Sequence, residues 1–146
     1  MLTEKESERL NPQDRVVMFL VYNSSNNKFI IEERTRKNSV YYGSFMIPAG
    51  HINENEKSED ALVRELWEEQ GIVPTEILHI DTFKNVSMHG NTFLVDAYLI
   101  KSYQGEIVNK EPEKCNLHQM SFEEAIQNME HVHNKYVLLK AEGLFR

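Results

Sequence analysis

Apolar and polar residues in this chain follow two periods, and the switches between them mark out its elements. Val16–Tyr22 (VVMFLVY) is an unbroken apolar run of strand length, Asn23–Asn27 (NSSNN) is rich in turn formers, and Lys28–Glu33 resumes as a second strand. Together they predict a hairpin. Gly43–Ile47 reads as a short strand. Ser58–Gln70 contains neither Gly nor Pro and Gly71 follows as a stop, which predicts a helix of three to four turns capped by Ser58 or Asn55. Leu62, Val63, Leu66 and Trp67 share one sector of that helix, so this face, Trp67 included, is expected in the core.

Beyond the helix, Ile77–Phe83 and Thr92–Ser102 read as strands joined by a turn at Met88–Asn91, and Leu117–Phe122 as one more. Ser121 and Glu124 have capping-box spacing, which starts a helix through Met129, and His133–Leu144 forms a third. His131 and His133 alternate as surface residues on a strand or turn would. Residues 1–14 are polar, with Thr3 and Glu6 at capping-box spacing, and read as a short helix or a frayed end. Strands with helices between and after them argue for the α/β class: a mixed sheet covered on both faces, an α/β/α sandwich. A length of 146 residues suits a single domain.

The formal net charge of -7 argues against nucleic acid or an anionic membrane as partner, since both are bound chiefly by clustered Lys and Arg. Small phosphate compounds remain open where a cation mediates. Cys115 is the single cysteine, so no intramolecular disulfide forms, and it reads as a packed or loop thiol. The start MLTEKESERL is charged where a signal peptide needs an apolar core, and no segment approaches about 20 apolar residues, so the cytoplasm is the expected location. Monomer and homodimer are alike open.

Candidate chemistry gathers on the first helix. Glu65, Glu68 and Glu69 fall within an arc of about 100°, with neighbouring Cβ atoms about 5–6 Å apart. At an effective dielectric of about 20 each pair repels by about 3 kcal/mol. A solvated acidic face is one reading of this cluster. The other is a hard divalent cation, Mg²⁺ or Mn²⁺, which takes oxygen ligands together with substrate phosphates. The preceding Pro48-Ala49-Gly50-His51 favours the cation, because Gly50 lets the backbone approach a ligand and present its carbonyl. Glu56 and Arg64 are placed to form a loop-to-helix ion pair. Arg34 and Arg36, just upstream, suit phosphate oxygens.

From Gly50 to Ile72 the chain reads G-x5-E-x7-R-E-L-W-E-E-x-G-I, which resembles the Nudix box with every specified position filled. The resemblance implies the Nudix α/β/α sandwich and metal-dependent hydrolysis of a nucleoside diphosphate linkage. It implies metal ligation by Glu65, Glu68, Glu69 and the Gly50 carbonyl, with Glu65 or Glu68 as general base and Arg64 orienting Glu65. It also implies phosphate contact at the strand end, where Arg36 matches better than Arg34. Apart from the resemblance, His51 directly follows Gly50 and is a candidate for substrate contact, and Tyr41, Tyr42 and Phe45 could stack on a base or equally serve packing. Asn109–Cys115 (NKEPEKC) resembles the loop of the family's nucleoside-triphosphate diphosphatases, which makes Glu111 a further metal ligand. This chain departs from that pattern at Leu117 and His118, where relatives often carry Trp. The expected substrate is a small nucleotide, a (deoxy)nucleoside triphosphate giving monophosphate and pyrophosphate. Nucleotide sugars, ADP-ribose, dinucleoside polyphosphates and a non-catalytic nucleotide-sensing module are the rival readings.

Overall fold

The computed structural model describes residues 14–86 and 90–145. The expectation for the N-terminal segment, and part of that for the turn at Met88–Asn91, lie outside them. Strands β1 (Arg15–Asn23) and β2 (Lys28–Arg34) flank the NSSNN turn, and β3 (Phe45–Met46) and β4 (Ala49–His51) follow. Helix α1 (Ser58–Gln70) precedes the long pair β5 (Val73–Val86) and β6 (Thr92–Gln104); β7 (Cys115–Met120), α2 (Phe122–Asn128) and α3 (Val132–Gly143) complete the order.

The hairpin forms, but β1 and β2 pair only beside the turn, at Tyr22↔Phe29 and Asn23↔Lys28. They then part. β1 runs parallel to β6 from Arg15↔Leu94 to Val21↔Ile100 and antiparallel to β4. β2 pairs with β7 from Phe29↔Met120 to Arg34↔Cys115, and with β3. A parallel pair needs a crossover, and α1 lies within this one. The sheet is therefore mixed, and β3 and β4 fill the wedge where β1 and β2 separate.

Both faces are covered, which explains the unbroken apolar run of β1. Val17, Phe19 and Val21 meet Leu62 and Leu66 of α1. The alternate Met18 and Leu20 meet Ala125 of α2 and Val137, Leu138 and Ala141 of α3. Leu66 and Leu138 are wholly buried, each stabilising the fold by about 2 kcal/mol. No helix among the described residues is long and apolar enough to cross a membrane.

Several local expectations are corrected. The N-cap of α1 is Lys57, with no side-chain cap. Ser58 instead donates to Asp96 of β6 and accepts from Arg15, so a tertiary contact takes the hydroxyl that a cap would use, while Asn55 adopts a left-handed turn (φ 65). The helix ends as predicted, on left-handed Gly71. Its buried stripe is Ala61, Leu62, Leu66 and Gln70, leaving Val63 and Trp67 41% and 55% exposed. One residue further along, these two lie about 100° round the helix, away from the sheet. Lys110 covers the Trp67 ring at 4.6 Å. His131 is the N-cap of α3 and His133 lies within it; each is half-buried, His131 edge-on to Tyr41 and His133 stacked on Phe83. The capping box at Ser121 and Glu124 is present as expected.

A buried carboxylate braces α3 to β5. Asp81 accepts from the Tyr136 hydroxyl, from the Thr82 N–H at 2.8 Å and from Lys140 Nζ at 3.2 Å. Burial opposes its charge, but these donors outweigh it and hold the carboxyl below its usual value. Tyr136→Phe should lower stability by about 1 kcal/mol at neutral pH. Because a depressed carboxyl contributes stability above its unfolded pKa and loses it as pH falls through the folded one, the difference should fade on acidification. Urea melts of both proteins from pH 7 to pH 3 measure it; a gap unchanged down to pH 3 contradicts the brace.

Candidate active site

Over the wedge between β1 and β2 lies a cleft of about 490 Å³, lined by Val16 and Met18 of β1, Glu32 and Arg34 of β2 and Ala49 and Gly50 of β4. Four carboxylates from three separate parts of the chain face it: Glu32 of β2, Glu65 and Glu69 of α1, and Glu111 of the loop before β7.

Arg64 fixes the helix to the preceding loop. Its guanidinium grips Glu56 through Nε and Nη2, both at 2.9 Å, and Nη2 also donates to the His51 carbonyl at 2.9 Å. Nη1 reaches Glu65 at 3.0 Å and Glu68 at 3.2 Å. The Arg64 pair, with some help from the Asn53 N–H, outweighs desolvation and holds the Glu56 carboxyl below its usual range. The Glu65 carboxylate lies flat against Gly50, where any Cβ would fall inside it. Glycine is required here by space rather than by backbone angle.

Among the described residues no cation forms an ion pair with Glu69. Its Oε2 is buried without a hydrogen-bond partner, and burial, followed by the charges of Glu32, Glu65 and Glu111, pushes its carboxyl up to about 9. Glu32 is 4% exposed and paired with Arg34 at 2.9 Å, a contact without hydrogen-bond alignment; burial outweighs that pairing and raises its carboxyl. The Cys115 thiol bonds to Glu32 and is pushed up to about 12, chiefly by burial, which leaves it inert as a nucleophile.

The loop carrying Glu111 docks on the C-terminal end of α1. Val108 N–H donates to the Gln70 carbonyl and Lys110 N–H to that of Glu69, both at 3.0 Å, while Lys110 Nζ reaches the Trp67 carbonyl at 3.0 Å. The two backbone bonds satisfy carbonyls that a helix end otherwise leaves open, and the ammonium adds to a Trp67 carbonyl that already accepts the Gly71 N–H. The Asn109 side chain closes the loop, accepting from Glu111 N–H at 3.0 Å and donating to the Cys115 carbonyl at 2.7 Å.

This donor set fits a hard divalent cation. It is rich in carboxylate oxygen, one of those oxygens, Glu69 Oε2, is buried without a partner, and Gly50 keeps the backbone within reach. Among the described residues no three His, Cys, Asp or Glu side chains already form a closed ligand group. Glu68 and Glu111 are held instead by Arg64 and Lys114.

Of the residues singled out from sequence, Gly50, His51, Arg34, Glu65, Glu69 and Glu111 line the cleft. Glu68 stands half exposed beside it and Arg64 behind it. Arg36 is exposed on the turn after β2, and Phe45 packs against His118 at 5.4 Å. Sequence reasoning missed Glu32, Lys114 and Asn134. Glu32 follows Ile30 on one strand face, a carboxylate in an apolar row, and Asn134 shares the helical stripe of Val137, Leu138 and Ala141. Polar residues at apolar phase were the available signal. Asn134 Oδ1 accepts the Ile47 N–H at 2.7 Å, holding α3 against the cleft wall.

Comparison with protein families matches residues 12–141 to the NUDIX domain. The chain belongs to the Nudix family. It is a Nudix hydrolase, an enzyme of pyrophosphate bonds. Its fold is shared by a MutT Nudix hydrolase from Burkholderia pseudomallei, at a TM-score of 0.76 and 19% identity over 87% of this chain and 96% of that one. An Ap4A hydrolase binary complex from C. elegans matches at 0.67 and 13% identity, over 89% and 97%. The Nudix domain of Shewanella oneidensis NrtR, complexed with ADP-ribose, matches at 0.69 and 19% identity, over 99% and 100%.

Two outcomes follow from the site. Gly50→Ala should displace the Glu65 side chain, which is flexible at its far end, so the melting temperature should shift by only a few degrees while kcat falls at least about tenfold. A variant with near-native kcat contradicts the role of that contact. In the metal-free protein, Glu69 has a raised carboxyl, so the folded state binds more protons than the unfolded and stability should fall as pH rises from about 4.5 to about 9. Glu69→Gln should flatten that slope in denaturant melts across the window, and an unchanged slope refutes the assignment.

Proposed function

We propose that this Nudix hydrolase converts a (deoxy)nucleoside triphosphate to its monophosphate and pyrophosphate, using Mg²⁺ or Mn²⁺. The observation that carries the reading is the docking of Glu111 onto α1, which puts the NKEPEKC loop beside the helix carboxylates. Glu65, Glu69, Glu111 and the Gly50 carbonyl would hold the cation, with Glu68 joining from the exposed edge. When bound, the cation supplies charge neutralisation at the phosphates and a more acidic water.

Glu65 is the better of the two candidate bases, because it lines the cleft whereas Glu68 does not. Its carboxylate accepts the proton of the attacking water, and Arg64 and Gly50 fix where that carboxylate points. Arg34 lines the cleft and takes phosphate oxygens there; Arg36, outside it, meets the distal phosphates from the rim. Met18, Ile47, Phe93 and Val95 form an apolar wall that suits a nucleobase.

A turnover screen with Mg²⁺ and with Mn²⁺, over nucleoside triphosphates, ADP-ribose, dinucleoside polyphosphates and nucleotide sugars, tests the proposal. The highest kcat/KM should fall on a triphosphate, with pyrophosphate and no orthophosphate released. A higher value on ADP-ribose or a dinucleoside polyphosphate, or orthophosphate as product, overturns it. Glu69→Gln should abolish nearly all turnover on the best substrate.

A further inference from the structure

We propose that Lys114 is a phosphate-binding residue held in reserve: it occupies Glu111 while the site is free of metal, and turns to the substrate's phosphate oxygens once a divalent cation takes Glu111. This rests on the proposed role of Glu111 as a metal ligand.

Lys114 Nζ lies 2.6 Å from Glu111 Oε2, and both residues line the cleft. The backbone holds Lys114 on the basic side of the site. Its N–H donates to the Glu111 carbonyl at 3.0 Å, and its carbonyl accepts the Thr35 N–H at 3.1 Å, one residue past Arg34. The side chain is free to turn, being 48% exposed on a four-carbon stem.

The other cations keep a carboxylate partner when a metal binds. Among the described residues the cleft-lining cations are Arg34 and Lys114, and Arg34 Nε is engaged by the buried Glu32. Arg64 is engaged by Glu56, Glu65 and Glu68. Lys114 differs from both: Arg34 keeps Glu32, and Arg64 keeps Glu56 and the His51 carbonyl even where a metal takes Glu65 and Glu68, whereas the carboxylate paired with Lys114 is itself a proposed ligand. Once displaced, the ammonium stands at the mouth of a cleft into which a polyanion must fit. Metal and nucleotide then favour each other's binding through this one side chain, by the same factor in each direction.

Two isothermal titrations test this, one with Mn²⁺ alone and one with an α,β-methylene nucleoside triphosphate at saturating Mn²⁺. Lys114→Ala should bind Mn²⁺ alone about two- to fivefold more tightly, the factor by which a partly exposed ion pair hinders a competitor. The same variant should bind the nucleotide analogue at least about tenfold more weakly. Lys114→Arg should restore nucleotide affinity, and Lys114→Gln, which keeps most of the stem, should behave as the alanine does. Mn²⁺ affinity that is unchanged or weaker in both neutral variants overturns the exchange, since general damage to the site can only weaken metal binding. Unchanged nucleotide affinity overturns the phosphate role. Glu111→Gln separates the two layers: weakened Mn²⁺ binding there with no gain in the Lys114 variants removes this proposal alone, whereas unchanged Mn²⁺ binding removes Glu111 as a ligand and this proposal with it.

Discussion

The site depends on one guanidinium. Arg64 holds Glu56 of the loop, Glu65 and Glu68 of its own helix and the His51 carbonyl, so a single cation sets the position of α1 relative to the Ala49–Glu56 segment. Without it, three helix carboxylates would repel one another with nothing to fix their directions. With it, Glu65 is pressed against Gly50, and two chemically distinct classes of carboxylate result. Glu56, Glu65 and Glu68 share the one charge of Arg64 from behind, while Glu69 faces the cleft with no cation among the described residues paired to it. The geometry thus separates the carboxylates that build the site from the one that most needs an incoming charge.

That separation matters only because the sheet opens at the right place. β1 and β2 remain paired for two residues beyond their turn and then join different ladders, β1 with β6 and β4, β2 with β7 and β3. A continuously paired hairpin would close the space that Glu32 and Arg34 share with Val16 and Met18. Apolar packing on both faces anchors the two halves, so the opening does not depend on polar residues that must serve the substrate.

The elements governed by local signals were legible in the sequence. Gly71 ends α1 because a left-handed residue is needed there, and Ser121 with Glu124 starts α2 because their side chains and N–H groups satisfy each other. The eight-residue spacing of Glu56 and Arg64 anticipates the ion pair that they form. What was not legible depended on distant segments. Ser58 looked like a cap until Asp96, thirty-eight residues on, claimed its hydroxyl. Trp67 had an apolar side chain in an apolar sector, yet the sheet contacts the stripe of Leu62 and Leu66 and leaves it to Lys110. Glu32 appeared as one of two adjacent acids at a strand end; its phase with Ile30 puts it on a buried face, but that this face opens onto the carboxylates of α1 is set by distant segments.

The same burial that makes the site reactive makes the metal-free fold less stable than it could be. Removing Glu69 from water raises its carboxyl because the charged form has lost its solvation and sits near Glu32, Glu65 and Glu111. Selection for stability alone would replace it with a neutral residue that packs as well. A cation bound to the folded chain but not to the unfolded one reverses that balance, since its binding free energy adds to folding by mass action. Retaining four clustered carboxylates is therefore consistent with a protein that works in the loaded state, where the repulsion that strains the free chain becomes the attraction that holds the ion and, through it, the phosphates of the substrate.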